Sequence, residues 1–87
     1  MNTIKTKSEE DPPEKVFFKL IEYQKTGNFK ELLGLAEKLV KDFPRSYKIW
    51  NILGIANAQL KNFDFGEKAL RVASELNPNY SEAFNNL

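Results

Sequence analysis

The stretch Tyr47–Tyr80, YKIWNILGIANAQLKNFDFGEKALRVASELNPNY, decides the fold. Apolar residues recur in it every three or four positions, which is the period of a helix with one buried face and not that of a strand. Ser46 stands ahead of it as an N-cap. Lys61-Asn62 is too short for anything but a tight turn, and Asn77-Pro78 stops what precedes it. The spacing predicts one helix from Tyr47 to about Leu60 and another from Phe63 to Leu76.

Working outward, the same arrangement precedes it. Val16, Phe17, Leu20, Ile21 and Tyr23 form an apolar face ending near Thr26. Gly27 is the expected stop, since glycine takes the left-handed backbone without steric cost. Asp11 is read as the N-cap of this helix, Pro12 as its first residue and Glu14 as a capping-box carboxylate. Asn28, with Glu31 three residues on, is expected to cap a second helix through Leu32, Leu33, Ala36, Leu39 and Val40. Pro44 ends that helix. Tyr80–Phe84 reads as the opening of a fifth. No segment alternates with period two, so an all-α fold is expected, with the short connections making neighbouring helices antiparallel.

Shifted by 34 residues, the chain aligns with itself without a gap. Asn28-Phe29 falls on Asn62-Phe63, Pro44 on Pro78, Trp50-Asn51 on Phe84-Asn85, and Leu53 on Leu87. These matches sit at caps, stops and core positions. Here the sequence resembles the tetratricopeptide repeat (TPR), a helix–turn–helix unit with the pattern W-x2-L-G-x2-Y, then A-x3-F, a small residue and a closing proline. Tyr47–Tyr80 carries Trp50, Leu53, Gly54, Ala73 and Pro78 at that spacing. It departs with Asn57 for the aromatic, Gly66 for the alanine and Leu70 for the phenylalanine. Residues 13–46 are a weaker copy with Val16, Tyr23, Phe29 and Pro44. There Lys19 and Leu20 take the Leu-Gly positions and Leu32 the small one, leaving the first helix's register open by one residue. Residues 81–87 begin a third copy. The resemblance implies a short right-handed solenoid over residues 12–87, behind a disordered polar lead-in at 1–11.

In this family the first helix of each repeat lines a concave groove for a peptide or partner helix. Carried over by position, the groove receives Glu14, Phe17, Ile21 and Gln24, then Lys48, Asn51, Ile52, Ile55 and Gln59, then Glu82, Asn85 and Asn86. Helical spacing supports the middle set independently, since it shares a face turned away from Trp50, Leu53 and Gly54. The asparagines suit a ligand backbone because an amide offers both donor and acceptor. As solvated helix polars they would need no ligand at all. Some members hold acidic chaperone C-termini in a Lys/Asn clamp. This chain has Phe17, Ile21, Ile52, Glu82 and Asn86 at those positions, so that clamp is missing.

Composition narrows the function classes. The chain has no Cys and no His, which removes disulfides, thiolate nucleophiles and the commonest metal ligand and proton shuttle. No cofactor or metal is expected. A net charge of +1, with Lys interleaved among Glu and Asp, offers no footprint for nucleic acid or an anionic membrane. Trp50 and the Phe/Tyr set read as core, not as base-stacking platforms. The polar N-terminus does not read as a secretory signal, and no apolar run approaches the roughly 20 residues of a membrane span. A cytoplasmic location is the default expectation.

The expected function is therefore a non-enzymatic protein–protein interaction scaffold. The alternative is the N-terminal part of a modular enzyme. The Asp-Pro-Pro-Glu start, Tyr23-Gln24, Gly27, Phe43-Pro44 and the Trp50 motif look like repeat arrays that precede sulfotransferase or glycosyltransferase domains. Two and a fraction repeats without a capping helix also predict self-association through the uncapped C-terminal end.

Overall fold

The computed structural model describes residues 11–78. They form four helices: α1 (Glu14–Lys25), α2 (Phe29–Asp42), α3 (Tyr47–Gln59) and α4 (Phe63–Leu76). No strand occurs among the described residues. The expected fifth helix, the 1–10 lead-in and the third copy at 81–87 lie outside them.

The helices pack against one another in chain order, α1 on α2, α2 on α3 and α3 on α4. A Cβ built on Gly54 would meet Leu70, and one on Gly66 would meet Ala58, so the α3–α4 contacts converge on their shared turn and the pair is antiparallel. One apolar cluster joins Leu20, Leu32, Leu39, Ile49 and Ala56. A second joins Ala36, Leu53 and Ala69, with Trp50 and Ile52 packed against it. Residues of α2 and α3 enter both clusters, so these two helices form the middle of the molecule.

The 34-residue period recurs in the backbone. Helices α2 and α4 have the same length and are displaced by that period. The turn before each is the same object. Asn28 N–H donates to the Tyr23 carbonyl at 2.9 Å, and Asn62 N–H to the Asn57 carbonyl at 2.7 Å. Thr26 N–H reaches Glu22 O at 3.0 Å, and Leu60 N–H reaches Ala56 O at 3.1 Å. Gly27 is left-handed at φ 77°, as expected, and Lys61 takes the same conformation at φ 68°. These pairs leave no slip between α1 and α3, which closes the register question.

The two helix pairs solve the same packing problem differently. In α3–α4 a Cβ on Gly54 would lie 2.6 Å from Leu70 Cγ and 3.0 Å from the Gly66 carbonyl oxygen. A Cβ on Gly66 would lie 3.0 Å from the Gly54 carbonyl oxygen. The two backbones therefore touch, and Leu70 lies over the bare Gly54. In α1–α2 the register equivalents are Leu20 and Leu32, both fully buried in one cluster, so side chains fill the equivalent space. Gly34 is different again. Nothing lies within 4 Å of a Cβ built there, so no packing contact explains it.

The capping expectations need correction at two places. Helix α1 starts at Glu14 with Pro13 as its N-cap residue and no side-chain cap. The reason is local: proline disfavours helical backbone at the residue before it, so Pro12 is a poor helix start ahead of Pro13. Asp11 instead accepts a 2.6 Å hydrogen bond from the Ser46 hydroxyl. Asn28 precedes α2 as expected, yet its side chain makes no cap bond and donates to Thr26 Oγ1 at 2.9 Å. Ser46 does cap α3, its Oγ accepting from Ile49 N–H at 3.4 Å.

Candidate functional site

The face assigned to ligand binding is built from one side of α1 and one side of α3. Positions 17, 21 and 24 lie along a single stripe of α1, and 48, 52, 55 and 59 along a stripe of α3. The stripes meet where Lys48 Nζ sits 5.7 Å from the Phe17 ring centroid, a cation–π contact between the two helices. Ile21 is 45% exposed, which leaves an aliphatic side chain available beside that contact. Gln24, Lys48 and Gln59 are exposed, while Phe17, Ile52 and Ile55 are half-buried.

Two of these residues also serve the interior. Ile52 packs against both core clusters, so only its outer part faces the surface. Asn51 is 6% exposed and engaged in a contact of its own, so its amide belongs to the packed side of α3 more than to open solvent. Glu82, Asn85 and Asn86 lie outside the described residues. The surface that remains is apolar, bordered by the amides of Gln24 and Gln59, with Lys48 as its cation. It can bury aliphatic or aromatic groups and hydrogen-bond an extended backbone or a polar side chain.

The residues expected from the repeat pattern pack α3 against its neighbours. Trp50 donates its indole N–H to the Pro44 carbonyl at 2.7 Å, tying α3 to the α2–α3 turn. Leu53, Leu70 and Ala73 are buried, and Gly54 with Gly66 brings α4 against the back of α3. Pro78 follows α4 directly after Asn77, its C-cap.

A concavity lies on the other side of α3 and was not legible as a site in the sequence. It is a hollow of about 350 Å³ open to solvent between α2 and α4, lined on the α3 side by Trp50, Leu53 and Asn57. Glu37 of α2 and Phe65 with Lys68 of α4 stand at its walls. Asn57 is buried, donating to Leu53 O at 3.0 Å and accepting from Asn62 Nδ2 at 3.3 Å. The signal that could have pointed here is the departure at position 57, where an asparagine stands in place of an aromatic ring.

Among the described residues no group of His, Cys, Asp or Glu is placed to hold a metal ion. None of the described helices is long and apolar enough to cross a membrane. Comparison with protein-family models, with curated proteins and with solved structures returns no match for this chain.

Proposed function

We propose that this chain is a TPR-type interaction scaffold that receives a peptide or partner helix on the α1–α3 face. The observation that carries the reading is the 34-residue recurrence of the backbone, with matched turns at Gly27 and Lys61 and matched helices α2 and α4. A recurring helical hairpin stacks its first helices side by side on one surface, and in a right-handed solenoid that surface is concave. Phe17 and Lys48, the first helices' residues in contact, support that placement. The face offers apolar area with few charges, which suits an aliphatic or aromatic anchor flanked by hydrogen-bonding backbone.

The experiment is titration of the labelled chain with panels of extended and amphipathic-helical peptides, followed by amide chemical shifts. Binding in the groove moves Ile21, Lys48, Ile52 and Ile55, and Ile21→Asp abolishes it while leaving the helical circular dichroism unchanged. Shifts confined to α2 and α4 would overturn the assignment.

A further inference from the structure

The hollow between α2 and α4 is independent of the α1–α3 face and has its own logic. In the first hairpin Tyr23 occupies the register position of Asn57, and its ring packs partly buried against the core. In the second hairpin the ring is gone. Asn57 turns its short amide to Leu53 O and Asn62, and the lost aromatic volume contributes to a cavity of about 350 Å³. That size lies near the lower end of the roughly 300–1,000 Å³ of pockets that accept discrete groups. Its floor of Trp50 and Leu53 is apolar, so the chemistry it accepts is an aromatic or large aliphatic side chain.

The chain itself displays such a group at the rim. Phe65 lines the hollow yet is 66% exposed, an unfavourable state for a phenyl ring. The walls carry opposite charges, Glu37 on α2 and Lys68 on α4, and among the described residues neither is in an ion pair. Lys68 instead leans over Phe65, with Nζ 6.0 Å from the ring centroid. A surface with an apolar hollow, an apolar knob beside it and one charge of each sign on opposing walls is self-complementary. In an isologous contact the same patch is used by both copies, so a knob can meet a hollow and a carboxylate an ammonium twice over. A small anion, cation or singly charged peptide satisfies only one wall.

We propose that this face binds a second copy of the chain in an isologous dimer. Phe65 of each copy enters the hollow beside Asn57 of the other, and Glu37 of each pairs with Lys68 of the other. Each copy brings one exposed ring and one charge pair to this contact, few anchors beside the roughly 20–30 residues a side of a standard interface, so a weak dimer in the micromolar to millimolar range is expected.

Sedimentation equilibrium of the whole chain over micromolar to millimolar loading tests this. A concentration-dependent dimer is expected. Phe65→Ser weakens it by about tenfold or more, as loss of a buried aromatic anchor does. Phe63→Ser, which removes a ring 65% exposed but outside the hollow, leaves it unchanged. Glu37→Lys and Lys68→Glu each weaken it, and the double reversal restores it. Net-charge repulsion does not mimic this pattern, because Lys68→Glu only inverts the sign of the +1 charge. Asn57→Tyr fills the hollow and also weakens the dimer. The charge reversals test the proposal even where that variant fails to fold. A chain monomeric at every loading overturns it. So does a dimer sensitive to Phe63→Ser and not to Phe65→Ser, which would place the contact at the α3–α4 turn. A double charge reversal that fails to restore association overturns it as well.

Discussion

Gly27 and Lys61 stand 34 positions apart and adopt the same left-handed backbone, φ 77° and 68°, each at the second residue of the turn that joins two helices of a hairpin. The turn geometry is therefore imposed by the hairpin and not by the residue type. An L-residue in that conformation costs about 1–2 kcal/mol that glycine does not. Lys61 carries this cost because Leu60, Lys61 and Asn62 N–H groups all find carbonyl partners in the last turn of α3.

The pair makes a reciprocal prediction. Lys61→Gly should raise stability by about 0.5–1 kcal/mol, the left-handed cost less the extra chain entropy of glycine. Gly27→Ala should lower it by a similar amount, although nothing obstructs a Cβ there. Urea midpoints at constant m-value check both.

Gly54 predicts a different sensitivity. Gly54→Ala forces its methyl onto Leu70 and the Gly66 carbonyl, and should cost about 1–3 kcal/mol of stability despite alanine's better helix propensity. Because Leu70 supplies the nearest atoms, Gly54→Ala and Leu70→Ala should be less than additive in a double-mutant cycle.

Gly34 is the opposite case. It is exposed in mid-helix with open space at its Cβ position, so Gly34→Ala should stabilise the chain by about 0.5–1 kcal/mol. Thermal melts of the two alanine variants should move in opposite directions.

Ser46 ties the segment before α1 to the start of α3. It is almost wholly buried, accepts from Ile49 N–H and donates to Asp11. Ser46→Ala should cost about 1–2 kcal/mol from the lost cap and hydroxyl bond together. Asp11→Ala should cost less than Ser46→Ala, and adding it to Ser46→Ala should cost little more. Denaturant titration of the single and double variants measures that coupling.

Trp50 is the only tryptophan in the chain and holds the Pro44 carbonyl through its indole N–H. Trp50→Phe should cost at least the hydrogen bond, about 0.5–1.5 kcal/mol, and the wild-type fluorescence should report unfolding of the α2–α3 junction.

Much of this architecture is written locally. The apolar spacing, Ser46, Pro44 and Pro78 determine where the helices lie, because caps and prolines act within one turn of themselves. Phe63–Leu76 is the helix its spacing predicts, and Gly27 takes the backbone its type favours. The period of 34 residues is likewise visible from Asn28-Phe29 against Asn62-Phe63.

What sequence spacing left undetermined depends on which helix lies opposite. Asp11 matches the pattern of a helix cap, yet Ser46 of another turn claims its carboxylate. Lys61 reads as ordinary and is left-handed, because closing the α3–α4 hairpin requires it. Asn51 shares a stripe with exposed Lys48 but is buried, and no count along one helix shows how closely its neighbours approach. The hollow at Asn57 is likewise a product of three helices meeting. Helical periodicity assigns a face to every residue. Only tertiary packing decides whether that face is filled, and in the second hairpin it leaves one part of it empty.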